Sequence, residues 1–154
     1  KVNGIETFVK SANFLPEATF LLIGPQLDDS IDYLKSIAPS NVIFKGYTPP
    51  DELSTHFGHA KVYAQLSAQE SFGCALAEAM LCECVPVVTD RGAIPEVVGN
   101  TGYYVPYDDP EATAEAIKEA LNSDKGTETR QRILDNYSLK KRENFLIQEI
   151  KKLI

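Results

Sequence analysis

Two glutamates separated by seven residues stand out in Glu70-Ser71-Phe72-Gly73-Cys74-Ala75-Leu76-Ala77-Glu78-Ala79-Met80. Between them lies a short turn of small residues containing Gly73. The apolar alternation Val62-Tyr63-Ala64-Gln65-Leu66 precedes this stretch, and a helical run from Ala75 to Cys82 follows it. The segment therefore reads as a strand, a loop carrying Glu70, and a helix that starts near Gly73 with Glu78 about one turn inside it. A helix N-terminus directs free backbone N–H groups at an anion, and its dipole favours negative charge there. The carboxylates cannot ligate a phosphate, because like charges repel. They can accept hydrogen bonds from hydroxyls. A ligand with phosphate in the middle and hydroxyls at both ends is a nucleotide sugar.

The rest of the chain must position that stretch. Helical and strand patterns alternate along it. A helix is expected from Gly4 to Leu15, with Ile5, Phe8, Val9 and Ala12 on one face and Pro16 ending it. Thr19-Phe20-Leu21-Leu22-Ile23 is a continuous apolar run, as in a buried parallel strand. Further strands are expected at Val42–Phe44, Ala60–Leu66, Pro86–Thr89 and Gly102–Val105. Helices are expected near Asp29–Ile37, Pro50–Phe57, Glu96–Val98, from Asp109-Pro110 onward, at Thr127–Asn136 and at Leu139–Ile154. This order implies βαβ units and an α/β fold, a Rossmann-like doubly wound parallel sheet flanked by helices. Ligands of such sheets bind beyond the carboxyl ends of the strands. The loops bearing Gly24, Gly46, Glu70 and Gly92 should therefore meet on one rim.

Composition narrows the function. The 154 residues fit one domain with a sizeable core, at 44% hydrophobic and 24% charged residues. A net charge of -7 disfavours nucleic acid as a partner, since a phosphate backbone needs a basic face. No apolar run reaches the roughly 18 residues of a membrane span, and no signal peptide is visible. Cys74, Cys82 and Cys84 form an odd set that reads as reduced thiols in a cytoplasmic protein. Their spacing does not suit zinc. The chain opens at Lys1 directly into a helical pattern and its one methionine is Met80, so it is expected to be a fragment of a longer protein.

These residues resemble the C-terminal, donor-binding half of the GT-B glycosyltransferases, specifically glycosyltransferase family 4 (glycosyl transferases group 1). The likeness covers almost the whole chain. It rests on Glu70-x-Phe72-Gly73 through Glu78-Ala79-Met80, then Pro86-Val87-Val88-Thr89, Gly92-Ala93-Ile94-Pro95-Glu96-Val97-Val98, Thr101-Gly102-Tyr103-Tyr104-Val105-Pro106 and Asp108-Asp109-Pro110-Glu111-Ala112. The resemblance implies retaining, metal-independent transfer of a sugar from a nucleotide-diphosphate donor to an acceptor hydroxyl. No cofactor is implied beyond the donor itself. Glu70 would lie nearest the anomeric centre as a sugar-positioning and electrostatic residue, and Glu78 would accept hydrogen bonds from the ribose hydroxyls. The turn Ser71, Phe72, Gly73, Cys74 and Ala75 would hold the diphosphate. Gly24 and Pro25 would border the nucleotide, and Tyr47 would lie near the base.

The chain departs from the family pattern at several positions. Asn3 stands where the family places a diphosphate-binding Lys, and Lys1 would substitute for it. Glu83 stands where Gly is frequent, and Gly92-Ala93 replaces a common Gly-Gly. The resemblance also implies an N-terminal acceptor domain in the same protein, so the isolated chain is expected to be inactive and to bind nucleotide. The acceptor would be a sugar or a lipid-linked sugar.

Plainer readings stand beside these. His56 and His59 fall away from the rim and read as a solvated or packed pair. Cys74 reads as a small residue whose N–H matters. Phe72 either covers the sugar or anchors the turn in the core. Lys140-Lys141-Arg142 and Lys151-Lys152 read as a solvated helix face, and would suit peripheral contact with an anionic membrane if the acceptor is a lipid. The rival functions are a non-catalytic nucleotide-sugar-binding module, such as an inactive partner subunit, and a response-regulator-like or flavodoxin-like domain. The last lacks an acidic cluster or a flavin loop to support it.

Overall fold

The computed structural model describes residues 4–25 and 29–152. Helix α1 spans Ile5–Ser11 and continues as a 3-10 turn over Ala12–Phe14. The helix is thus shorter than the expected Gly4–Leu15. Its last turn tightens where the Ser11 hydroxyl donates to the Phe8 carbonyl at 2.8 Å. The expected face is inside: Val9 and Ala12 are fully buried, with Ile5 and Phe8 packed on the same cluster. Strand β1 (Phe20–Ile23), helix α2 (Ser30–Ile37), strand β2 (Val42–Gly46) and helix α3 (Pro50–His59) follow. Strand β3 (Val62–Gln65) then leads to α4 (Cys74–Leu81), β4 (Val85–Thr89), α5 (Ile94–Val98) and β5 (Tyr103–Val105). The chain ends in α6 (Pro110–Leu121), α7 (Gly126–Asn136) and α8 (Leu139–Lys151).

All pairings among the described strands are parallel. They form two ladders, β1-β2 and β3-β4-β5. One hydrophobic cluster joins the two, with Phe20 and Val42 from the first and Leu66, Val85, Val87 and Val105 from the second. Strand β4 is central and buried along its whole length, which is why Val85-Pro86-Val87-Val88-Thr89 carries no alternation. The apolar run in β1 differs from the sequence expectation. Leu21 pairs with Ile43 across the ladder, and they are 37% and 51% exposed, so this ladder buries one face. Asn41 closes the α1–β1 connection, its side-chain amide donating to the carbonyls of Ala12, Leu15 and Ala18 at 3.2, 2.9 and 2.9 Å.

The later helices brace the rim. Helix α6 has the expected cap: the Asp109 carboxylate accepts from the Ala112 N–H at 3.0 Å, and Pro110 occupies the first turn. Helix α7 packs on α4, and its Arg132 side chain, with Tyr137 just beyond its end, donates to the carbonyls of Val97 and Glu96 in α5. Glu83, at the position where Gly is frequent, adopts φ 68°, a left-handed conformation that explains that preference. Helix α8 starts at a Ser138 cap, buries none of its residues, and is described as far as Lys151 rather than Ile154. No helix among the described residues is long and apolar enough to cross a membrane.

Candidate active site

Glu70 lies in the loop between β3 and α4, at the carboxyl end of the central ladder. Gly73, the N-cap of α4, has φ 83° and supplies no side-chain cap. The amides of Cys74, Ala75 and Leu76 therefore open α4 without an intrahelical or side-chain partner, as a helix start requires when it is to hold an anion. Cys74 is exposed, so this end faces solvent. Ser71, also exposed, donates its N–H to a Glu70 oxygen at 3.2 Å. Phe72 is packed as an anchor of the turn. Its ring meets Tyr137 edge-on, with centroids 5.2 Å apart, and joins the cluster of Leu76, Met80 and Val88.

Two close backbone approaches fix the loop. Gly92 has φ 59°, and a Cβ there would lie 2.4 Å from the Glu70 carbonyl oxygen. Ala93 donates its N–H to that same oxygen at 2.9 Å. Ala93 has φ -87°, so the family's second Gly is not needed at this turn. Gly4, the N-cap of α1 at φ 77°, lies against the end of β3, where a Cβ would fall 2.1 Å from the Leu66 carbonyl oxygen.

A polar chain that the sequence reading missed steadies the Glu70 carboxylate. Gln65 donates to the Ser67 hydroxyl at 2.7 Å and to Glu70 at a long 3.4 Å, and accepts from the Tyr63 phenol at 3.2 Å. Thr89, fully buried, donates to the Ser67 carbonyl at 2.8 Å. Burial, helped by the charges of Glu70 and Glu78, pushes the Tyr63 phenol up to about 12. Glu70 is half-buried and Glu78 is exposed on α4. The signal for this network was Gln65, an amide at the carboxyl end of an otherwise apolar strand.

The first ladder carries the other expected residues. The Gly24 N–H donates to the Gly46 carbonyl at 2.9 Å, so Gly24 and Pro25 adjoin the turn that carries Tyr47. Tyr47 is 70% exposed. Beside it, the buried Thr48 hydroxyl has no hydrogen-bond partner among the described residues. Lys1 and Asn3 lie outside the described residues. Among the described residues no group of His, Cys, Asp and Glu could hold a metal ion.

Comparison with known proteins decides the family. The family model described as Glycosyl transferases group 1 matches residues 1–123. The chain belongs to the group 1 glycosyltransferases. It is 31% identical to the O-antigen chain mannosyltransferase B of Escherichia coli over 81 residues, 53% of this chain and 21% of that protein. The sucrose-phosphate synthase of Thermosynechococcus elongatus has the same fold, with a TM-score of 0.85 and 24% identity over 98% of this chain and 42% of that one. Anabaena HepE, solved with UDP and glucose, aligns with a TM-score of 0.69 and 23% identity over 84% of this chain and 40% of its own. The fold of this group 1 chain is thus the Rossmann-like half of a GT-B glycosyltransferase. The chain spans about a fifth of the curated relative's length and under half of these two solved chains.

Proposed function

We propose that this domain binds the nucleotide-diphosphate-sugar donor of a retaining, metal-independent hexosyltransferase. The observation that carries the reading is the uncapped α4 N-terminus set between Glu70 and Glu78. Without a metal, a departing diphosphate needs oriented backbone amides and a helix dipole, and α4 offers both. Glu70 is the carboxylate beside the anomeric carbon, where it favours the positive charge that develops on the sugar in the transition state. Glu78 takes the ribose hydroxyls with its two oxygens. The base lies by Gly24, Pro25 and Tyr47. HepE, solved with UDP and glucose, supports a nucleotide and a sugar as the ligands of this fold.

The acceptor, a sugar or lipid-linked sugar, is held by an N-terminal domain of the same protein, so the isolated chain transfers no sugar. Helix α8, with no buried residue, is the element that docks on that domain. The protein works in the cytoplasm, at or near the membrane surface. Calorimetric titration with UDP, GDP and ADP tests the donor reading. One nucleotide should bind saturably, and Glu78→Ala should weaken it at least tenfold, about 1.4 kcal/mol. Equal binding by wild type and variant would remove Glu78 from the site.

A further inference from the structure

We propose that Gln65 is a positioning residue for Glu70: its side-chain amide, itself oriented by the Tyr63 hydroxyl, holds the Glu70 carboxylate in the direction that meets the donor sugar. The inference rests on the donor-site reading above, which puts Glu70 at the sugar and Glu78 at the ribose. Tyr63 and Gln65 stand two apart on β3 and so share one face of the strand. The Tyr63 ring is held in place by packing. It meets the Phe57 ring edge-on with centroids 5.7 Å apart, and it lies against the clusters that contain Leu76, Met80 and Cys84. From that fixed ring the phenol donates to the Gln65 amide oxygen at 3.2 Å.

A side-chain amide has two N–H donors, and Gln65 uses its nitrogen twice: toward the Ser67 hydroxyl at 2.7 Å and toward Glu70 Oε2 at a long 3.4 Å. Ser67 is buried, and its carbonyl accepts from the Thr89 hydroxyl at 2.8 Å, so this branch is tied to β4. An ionised carboxylate only accepts hydrogen bonds, so an amide turned the other way would set its oxygen against Glu70. The phenol at one end and the carboxylate at the other thus select the same amide orientation. Glu70 is then held on both oxygens, with the Ser71 N–H donating to Oε1 at 3.2 Å and Gln65 donating to Oε2. Each oxygen keeps a lone pair for a ligand hydroxyl. A carboxylate fixed in advance loses less rotamer freedom on binding and needs no reorganisation as charge develops on the sugar. The residue type decides this. A leucine at position 65 would pack in the strand and donate nothing to the carboxylate.

The test is calorimetric titration of wild type, Gln65→Leu, Tyr63→Phe, Glu70→Gln and the double variant Gln65→Leu with Glu70→Gln. The ligands are UDP, GDP and ADP, and UDP-glucose, GDP-mannose and ADP-glucose. Thermal unfolding of each variant is measured alongside. Gln65→Leu should weaken the preferred nucleotide sugar about fivefold or more and change the matching diphosphate less than about twofold. Tyr63→Phe keeps the ring and removes the donor, so it should show the same selectivity with a smaller loss; it carries the comparison if Gln65→Leu does not fold. In the Glu70→Gln background Gln65→Leu should cost nothing further, because its effect passes through Glu70. A purely structural role would weaken nucleotide sugar and diphosphate together and persist in the Glu70→Gln background. That result, or no loss for either ligand, overturns the inference. If Glu70→Gln weakens the nucleotide sugar while Gln65→Leu and Tyr63→Phe leave it unaltered, the donor site stands and the role of Gln65 falls. If wild type binds none of these ligands, both fall.

Discussion

Gly92 shows how tightly a single residue fixes the chemistry of this rim. Its φ is positive, and a Cβ at this position would come within 2.4 Å of the Glu70 carbonyl oxygen, so there is no room for a side chain. Gly92→Ala should therefore destabilise the fold by about 2 kcal/mol or more, measured by urea unfolding, and should weaken nucleotide binding through displacement of Glu70. Unchanged stability would mean that the two loops can part freely. Tyr63 makes a pH-dependent prediction. Its folded value is raised from 10.0 to about 12, so its stabilising contribution is complete below about 10 and is lost as pH rises through about 12. The buried Cys84 thiol, pushed up to about 12 from 9.0, acts in the same direction. The unfolding free energy should fall across this alkaline range, and Tyr63→Phe should flatten part of the slope; an unaltered slope would separate Tyr63 from the effect. Glu70, Glu78 and Gly73 are legible as a candidate site because their types and spacing are unusual. Gln65 and Ser67 are not, because single polar residues at a strand end are ordinary until the fold brings them to the Glu70 carboxylate.

At the scale of elements, much of the order of helices and strands follows from hydrophobic period, since most elements bury one face in a hydrophobic cluster. Strand β4 is the clearest case: five consecutive buried residues have no reason to alternate. Strand β1 looks equally buried in sequence, yet it exposes Leu21, because an apolar residue does not reveal whether a helix covers its face. The end of α1 is also hidden in the sequence, since the switch to a 3-10 turn depends on the Ser11 hydroxyl and on tertiary packing rather than on the apolar stripe. Helix α8 carries the clearest prediction at this scale. Leu139, Phe145 and Ile150 are 83%, 61% and 55% exposed, and the helix buries no residue. Phe145→Asp with Ile150→Asp should shift the stability of this chain by no more than about 0.5 kcal/mol per site, as exposed substitutions do. If α8 docks on an acceptor domain as proposed, the same pair should abolish transfer in a protein that carries that domain. Full transfer activity in the double variant would show that α8 serves another purpose.

On the proposed reading, the molecule as a whole is a donor-binding platform. Two parallel ladders share one core, the loops at their carboxyl ends carry the candidate site, and the chain is acidic although the proposed anion site is made from backbone amides. Net charge is therefore a poor guide to the ligand, since the backbone amides proposed to hold the diphosphate carry no formal charge. The measurement that tests this account most directly is a backbone amide chemical-shift titration of the chain with the nucleoside diphosphate that binds it. The account predicts saturable shifts concentrated at Ser71–Leu76, with a second set at Tyr47 and Thr48, and their loss in Glu78→Ala. Shifts centred elsewhere, with the α4 amides unmoved at saturation, would contradict it.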